Sequence, residues 1–96
     1  MGKPKFKVGD AVRCAVLWDT LWSACIIFGI GQPVTLEDKS TYIYYGIVRF
    51  ERGDFISCNA EENELVLITP LEYVLRTGRN YYSDLEKIMK KEKQWT

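Results

Sequence analysis

Histidine is absent from the 96 residues. That excludes Ser-His-Asp and Cys-His catalytic units, an imidazole proton shuttle and imidazole metal ligands, the commonest tools of enzymes near neutral pH. Net charge is absent too: 13 Lys and Arg balance 13 Asp and Glu, which argues against attraction of the whole molecule to nucleic acid or anionic membrane. No apolar run approaches the roughly 18 residues of a membrane span. Residues 1–7 are basic but lead into Val8-Gly9-Asp10 rather than the apolar stretch of a secretory signal. Cysteine is scarce: Cys14, Cys25 and Cys58 are odd in number and form no C-x-x-C pair. The usual zinc and thioredoxin spacings are thereby excluded, and a secreted disulfide scaffold is disfavoured. Each cysteine sits in an apolar or β-like run, so buried reduced thiols and a cytoplasmic location are expected.

What is present suffices for one small core. Apolar residues make up 47% of the chain and aromatics 14%, which excludes intrinsic disorder, and the length allows a single domain. The first two-thirds reads as short strands between turns. Gly9 and Asp10 form a turn before a strand over 11–18, with Val12, Cys14 and Val16 on one face. Residues 18–23 form a loop carrying Trp18 and Trp22, of which Trp22 is expected at the surface. Residues 24–30 are almost continuously apolar, as in a buried strand, and 36–41 have the polarity of a hairpin tip. The strongest strand is 42–50, with Gly46 as a bulge or a site of close approach. Arg52-Gly53-Asp54 is a hairpin turn, 55–58 the returning strand and 65–68 one more.

The last third is helical in pattern. Thr69, Pro70 and Glu72 have the spacing of a helix start, Leu71, Val74 and Leu75 make an apolar face, and Gly78 supplies a stop; a strand over 73–76 is the alternative. Ser83-Asp84-Leu85-Glu86 repeats the start signal, and Leu85, Ile88 and Met89 form a stripe reaching towards Trp95. That stripe either packs on the strands or mediates self-association into a homo-oligomer.

Three stretches carry a resemblance. Phe6-Lys7-Val8-Gly9-Asp10-Ala11-Val12-Arg13 is similar to the turn and first strand of SH3-like small barrels, the superfold of KOW and Tudor modules. Residues 45–56 resemble their central hairpin, and Glu64-Leu65-Val66-Leu67-Ile68 their closing strand. The resemblance implies a mainly β, five-stranded antiparallel SH3-like barrel over 6–69 with a helical extension over 70–96. It also implies binding of other macromolecules rather than catalysis, in a compact module of bacterial or phage type. The chain departs from KOW modules in lacking a basic loop.

The charge balance is a cancellation. Residues 1–13 carry +3, residues 14–71 carry −5 and residues 72–96 carry +2. An acidic barrel selects a basic partner, although the same charges also serve simply to solvate strand edges. Trp18, Trp22, Tyr42 and Tyr44 are the candidate apolar contacts, because alternation in 42–50 sets Tyr42 and Tyr44 on one face and Ile43 and Tyr45 on the other. Glu37, Asp38, Glu51 and Asp54 are the candidate acidic selectors of a protein partner, completing an aromatic groove suited to cations. The alternative is nucleic-acid binding through Lys3, Lys5, Lys7, Lys87, Lys90 and Lys91. Glu61, Glu62 and Glu64 match no cation-loop spacing and read as a solvated turn. Catalytic residues, metal ligands and cofactors are not expected.

Overall fold

A computed structural model describes residues 4–14, 24–51 and 53–93; the side chains of Cys14, Glu51 and residues 91–93 fall outside that description. The strands are β1 (Ala11–Cys14), β2 (Cys25–Ile30), β3 (Val34–Thr35), β4 (Thr41–Tyr42), β5 (Tyr44–Glu51), β6 (Asp54–Glu61) and β7 (Leu65–Leu67). A 3-10 turn, Glu62–Glu64, joins β6 to β7, and the helices α1 (Pro70–Thr77) and α2 (Tyr81–Lys93) follow. Five strands form one antiparallel sheet in the order β6-β5-β2-β1-β7, while β3 and β4 make a separate hairpin. The protein is therefore mainly β with two C-terminal helices, and no closed barrel is found among the described residues. The strand expected over 11–18 is seen as β1, and its continuation beyond Cys14 lies outside the described residues.

Alternation along the central strands divides the core in two. Val12, Cys25, Ile27, Tyr45 and Ile47 point to one face and pack with Phe6, Ile43, Ala60 and Leu65. Ala11, Ile26 and Val48 point to the other, with Ala24, and are covered by Ile68, Tyr73, Tyr81 and Ile88. A strand buried on both faces needs apolar residues at every position, which is why the run beginning at Ala24 does not alternate. Phe28 crosses Gly46, where an added Cβ would lie 2.7 Å from the ring, so Gly46 is a close-approach site. The register irregularity lies in the facing strand, between Ile27 and Gly29.

Thr69 caps α1 by accepting the Glu72 N–H at 3.0 Å, and Gly78 ends it in the left-handed conformation at φ 71°. The helical reading of 69–78 thus holds over the strand alternative. Its inward residue is different from that expected. Tyr73 is buried, whereas Leu71, Val74 and Leu75 are exposed, because the face α1 turns inward is the one on which the Tyr73 ring joins the second cluster and its hydroxyl donates to Asp84 of α2. Helix α2 begins before the Ser83 signal: Asn80 accepts the Ser83 N–H through its side chain and the Asp84 N–H through its carbonyl. Leu85, Ile88 and Met89 pack against the sheet as the stripe predicts. Trp95 lies outside the described residues.

The Asp84 carboxylate ties these elements together. It accepts the Tyr73 hydroxyl at 2.7 Å and two bonds from Arg79, at 2.9 and 2.8 Å, while being 1% exposed. The Arg79 guanidinium carbon in turn lies 3.4 Å from the Phe50 ring centroid, so the network reaches β5. Asp84→Ala is expected to cost roughly 3 kcal/mol, at the lower end for a broken buried pair because Arg79 can still reach water. Glu72→Ala, which breaks the half-exposed pair with Arg76, should cost about 0.5 kcal/mol or less. Equilibrium urea denaturation of the two variants measures the difference.

Candidate functional site

The residues singled out from the sequence fall into separate places. Tyr44 opens β5 directly opposite Glu61, the last residue of β6. It is 42% exposed, and its hydroxyl donates to Glu61 Oε1 at 3.1 Å. Tyr42 is half-buried in the short β4, and Ile43 and Tyr45 are buried, as alternation requires. The carboxylate of Glu61, with Glu64 and Tyr42 nearby, pushes the Tyr44 hydroxyl above its ordinary pKa. The result is an aromatic surface rimmed by carboxylates at one end of the sheet.

The acidic cluster in the 61–64 turn is built rather than merely solvated. Glu62 Oε2 accepts the Lys5 N–H at 2.8 Å and the Tyr45 hydroxyl at 2.6 Å. Tyr45 also accepts the Phe6 N–H, and the two rings meet edge to face. Glu64 accepts the Glu61 N–H at 2.9 Å. These roles extend the solvated-turn reading: Glu62 holds the N-terminal segment against the core, and Glu64 closes the turn. The signal in the sequence is the E-x-x-E spacing at 61–64, a capping pattern that also serves a 3-10 turn.

Glu37 and Asp38 lie at the exposed tip between β3 and β4. Asp38 accepts the Ser40 N–H at 3.0 Å, and its bonds from Ser40, the side chain foremost, hold its carboxyl below the usual range. It therefore shapes the turn as well as adding charge. Glu51 and Asp54 pair across the hairpin at the far end of β5 and β6, away from Tyr44. Asp54 is exposed and accepts the Phe55 N–H at 2.9 Å. Trp18 and Trp22 lie outside the described residues. The fold thus brings together Tyr42, Tyr44 and the 61–64 glutamates, and separates them from Glu51 and Asp54.

Of the basic set, Lys5 and Lys7 flank the buried Phe6, and Lys5 Nζ stands 5.8 Å from that ring's centroid. Lys87 and Lys90 are exposed on α2, and Lys90 pairs with Glu86 at 3.3 Å. Lys91 falls within α2, and Lys3 lies outside the described residues. The N-terminal turn rests on α2, since Tyr81 donates its hydroxyl to the Gly9 carbonyl.

Cys25 is buried as expected, but Cys58 is exposed. Its strand lies at the sheet edge, where the core no longer covers it. No group of His, Cys, Asp and Glu suited to a metal ion occurs among the described residues. No helix among them is long and apolar enough to cross a membrane. Comparison with protein-family models, with curated proteins and with solved structures found no match to this chain.

Burial, and then the bonds to Glu62 and Asp84, raises the Tyr45 and Tyr73 hydroxyls above their ordinary pKa of 10.0. In the unfolded chain both ionise near 10. The folded state therefore binds more protons above that pH, and its stability, fully present below about pH 10, falls as pH rises. Ultraviolet titration should show Tyr44 and the buried pair ionising late, the buried pair together with loss of the folded near-ultraviolet dichroism. Ionisation of all six tyrosines near pH 10 in a folded chain would contradict this arrangement.

Proposed function

We propose that this chain is a non-catalytic interaction module that takes a basic, peptide-like protein partner on an acidic aromatic surface. The observation that carries this reading is the exposed Tyr44 ring beside Tyr42, rimmed by Glu61 and Glu64. An exposed phenol face among carboxylates suits Lys or Arg, which gain cation–π and ionic contacts at once. Glu37 and Asp38 extend the acidity along the β3–β4 tip. The strand order, and the 3-10 turn between the fourth and fifth strands of the main sheet, support an SH3-like partly open barrel as the scaffold. A cytoplasmic setting belongs to the same reading, resting on three cysteines without a paired spacing.

The second reading is nucleic-acid binding. Its support is the N-terminal turn seated on α2, which brings the segment carrying Lys5 and Lys7 to the helix carrying Lys87 and Lys90. Self-association through α2 is less favoured, because Leu85, Ile88 and Met89 already cover this chain's own sheet.

Titration of the isotope-labelled chain with a Lys-rich peptide should shift the amides of residues 42–44 and 61–64 and weaken steeply with salt. Tyr44→Ala should lower that affinity about fivefold, the equivalent of roughly 1 kcal/mol for one exposed cation–π contact. Unchanged affinity in Tyr44→Ala would remove the reading. A parallel titration with single-stranded DNA that shifted only α2 and residues 5–10 would favour the second.

A further inference from the structure

The strand β6 is the edge of the main sheet: it pairs with β5 along all eight of its residues and with no other described strand. Glu51 and Asp54 close a two-residue turn, which makes them a hydrogen-bonded pair. Alternation then sends the main-chain groups of residues 54, 56, 58 and 60 to β5, and those of 55, 57, 59 and 61 outward. The outward N–H groups at the two ends are occupied, that of Phe55 by the Asp54 carboxylate and that of Glu61 by Glu64. Between them the main-chain groups of Ser57 and the Asn59 N–H have no partner among the described residues, and the Asn59 carbonyl accepts only the weak Cys58 thiol donor at 3.6 Å. Both residues are exposed, and Ile56 beside them is 37% exposed. Asp54 and Glu61 therefore bracket an uncharged stretch, F-I-S-C-N-A, that offers main-chain donors and acceptors to a further strand.

The charges choose the occupant. A second copy can pair antiparallel with this edge only about Ser57 or about Cys58, and either centre brings Asp54 within one residue of its partner's Glu61, like charges at each end of the interface. A strand with a basic residue at each end meets the opposite situation. We propose that the basic partner binds as an added β-strand along β6, its Lys or Arg residues seven positions apart to match Asp54 and Glu61. Seven is odd, so the two basic side chains stand on opposite faces of the added strand, as Asp54 and Glu61 do on β6. The end at Glu61 meets Tyr44, so one extended ligand would join the two acidic positions that the fold holds apart. This mode of binding rests on the basic-partner reading above.

The test uses the full chain and a blocked octapeptide, Lys-Thr-Thr-Val-Thr-Ile-Thr-Lys. Three comparison probes are a version N-methylated at alternate residues, a version with Glu in place of both Lys, and the chain carrying Ser57→Pro. Strand addition predicts at least tenfold slower hydrogen exchange at the Ser57 and Asn59 amides on binding. It also predicts a tenfold or greater loss of affinity on N-methylating the face turned to β6, and a similar loss for the Glu peptide. Proline at position 57 removes only an outward N–H, which an edge strand tolerates, so Ser57→Pro should fold and fail to bind. If that variant does not fold, the N-methylated peptide decides alone. Equal affinity for the methylated and unmethylated peptides, with shifts confined to 42–44 and 61–64, would overturn strand addition while leaving the basic-partner reading intact. No binding of either Lys peptide, together with no binding of the Lys-rich peptide used above, would overturn both.

Discussion

Everything else in this molecule depends on β2 being buried on both faces. A chain of this length hides only about 60–65% of its unfolded surface, so a single sheet cannot leave one apolar face in water. Cys25 and Ile27 look into one cluster and Ala24 and Ile26 into the other. The second cluster exists only because Tyr73, Tyr81 and Ile88 arrive from the two helices. The C-terminal third is thus half of the core rather than an appendage to it.

The helices reach the sheet by polar means as much as apolar ones. Helix α1 is short and buries mainly Tyr73, whose hydroxyl must find an acceptor once it leaves water. Asp84 supplies that acceptor, and Arg79 neutralises it with a two-pronged contact while stacking on Phe50. A carboxylate 1% exposed is tolerable only because all of these partners are present. Tyr81 does the same on a smaller scale, burying its ring in the second cluster while its hydroxyl fastens the Gly9 turn to α2.

Much of this was legible in the residues. The β2 run, the tyrosine alternation at 42–45, the close approach at Gly46 and the cap and stop of α1 all follow from local rules, and the structure carries each of them. What was not legible depends on contacts distant in sequence. Leu71 and Leu75 share a helical face, but which face turns inward is decided by Tyr73 meeting Asp84, eleven residues on. Cys58 reads as core until its strand proves to be an edge. The site divides in the same way. Tyr42 and Tyr44 stand together because they are neighbours in the chain, whereas Asp54 belongs to the opposite end because β5 and β6 pair along their whole length. Glu61 and Glu64 carried a capping spacing, yet the hold of Glu62 between them on Lys5 and Tyr45 required the N-terminal segment to return to the core.

The balance of charges acquires a physical meaning from this geometry. An eight-residue edge without proline is an invitation to pair with copies of itself, and edge charge is one of the ways natural sheets prevent it. Asp54 and Glu61 fit that role, at the cost of making the same edge attractive to any extended segment with basic ends. The compensating lysines are placed elsewhere: Lys87 and Lys90 are exposed on α2, which covers the sheet face from outside. Zero net charge therefore does not describe a neutral surface. It describes an acidic edge and a basic helix on one small body, a distribution that favours oriented local contact over adhesion to polyanions at large.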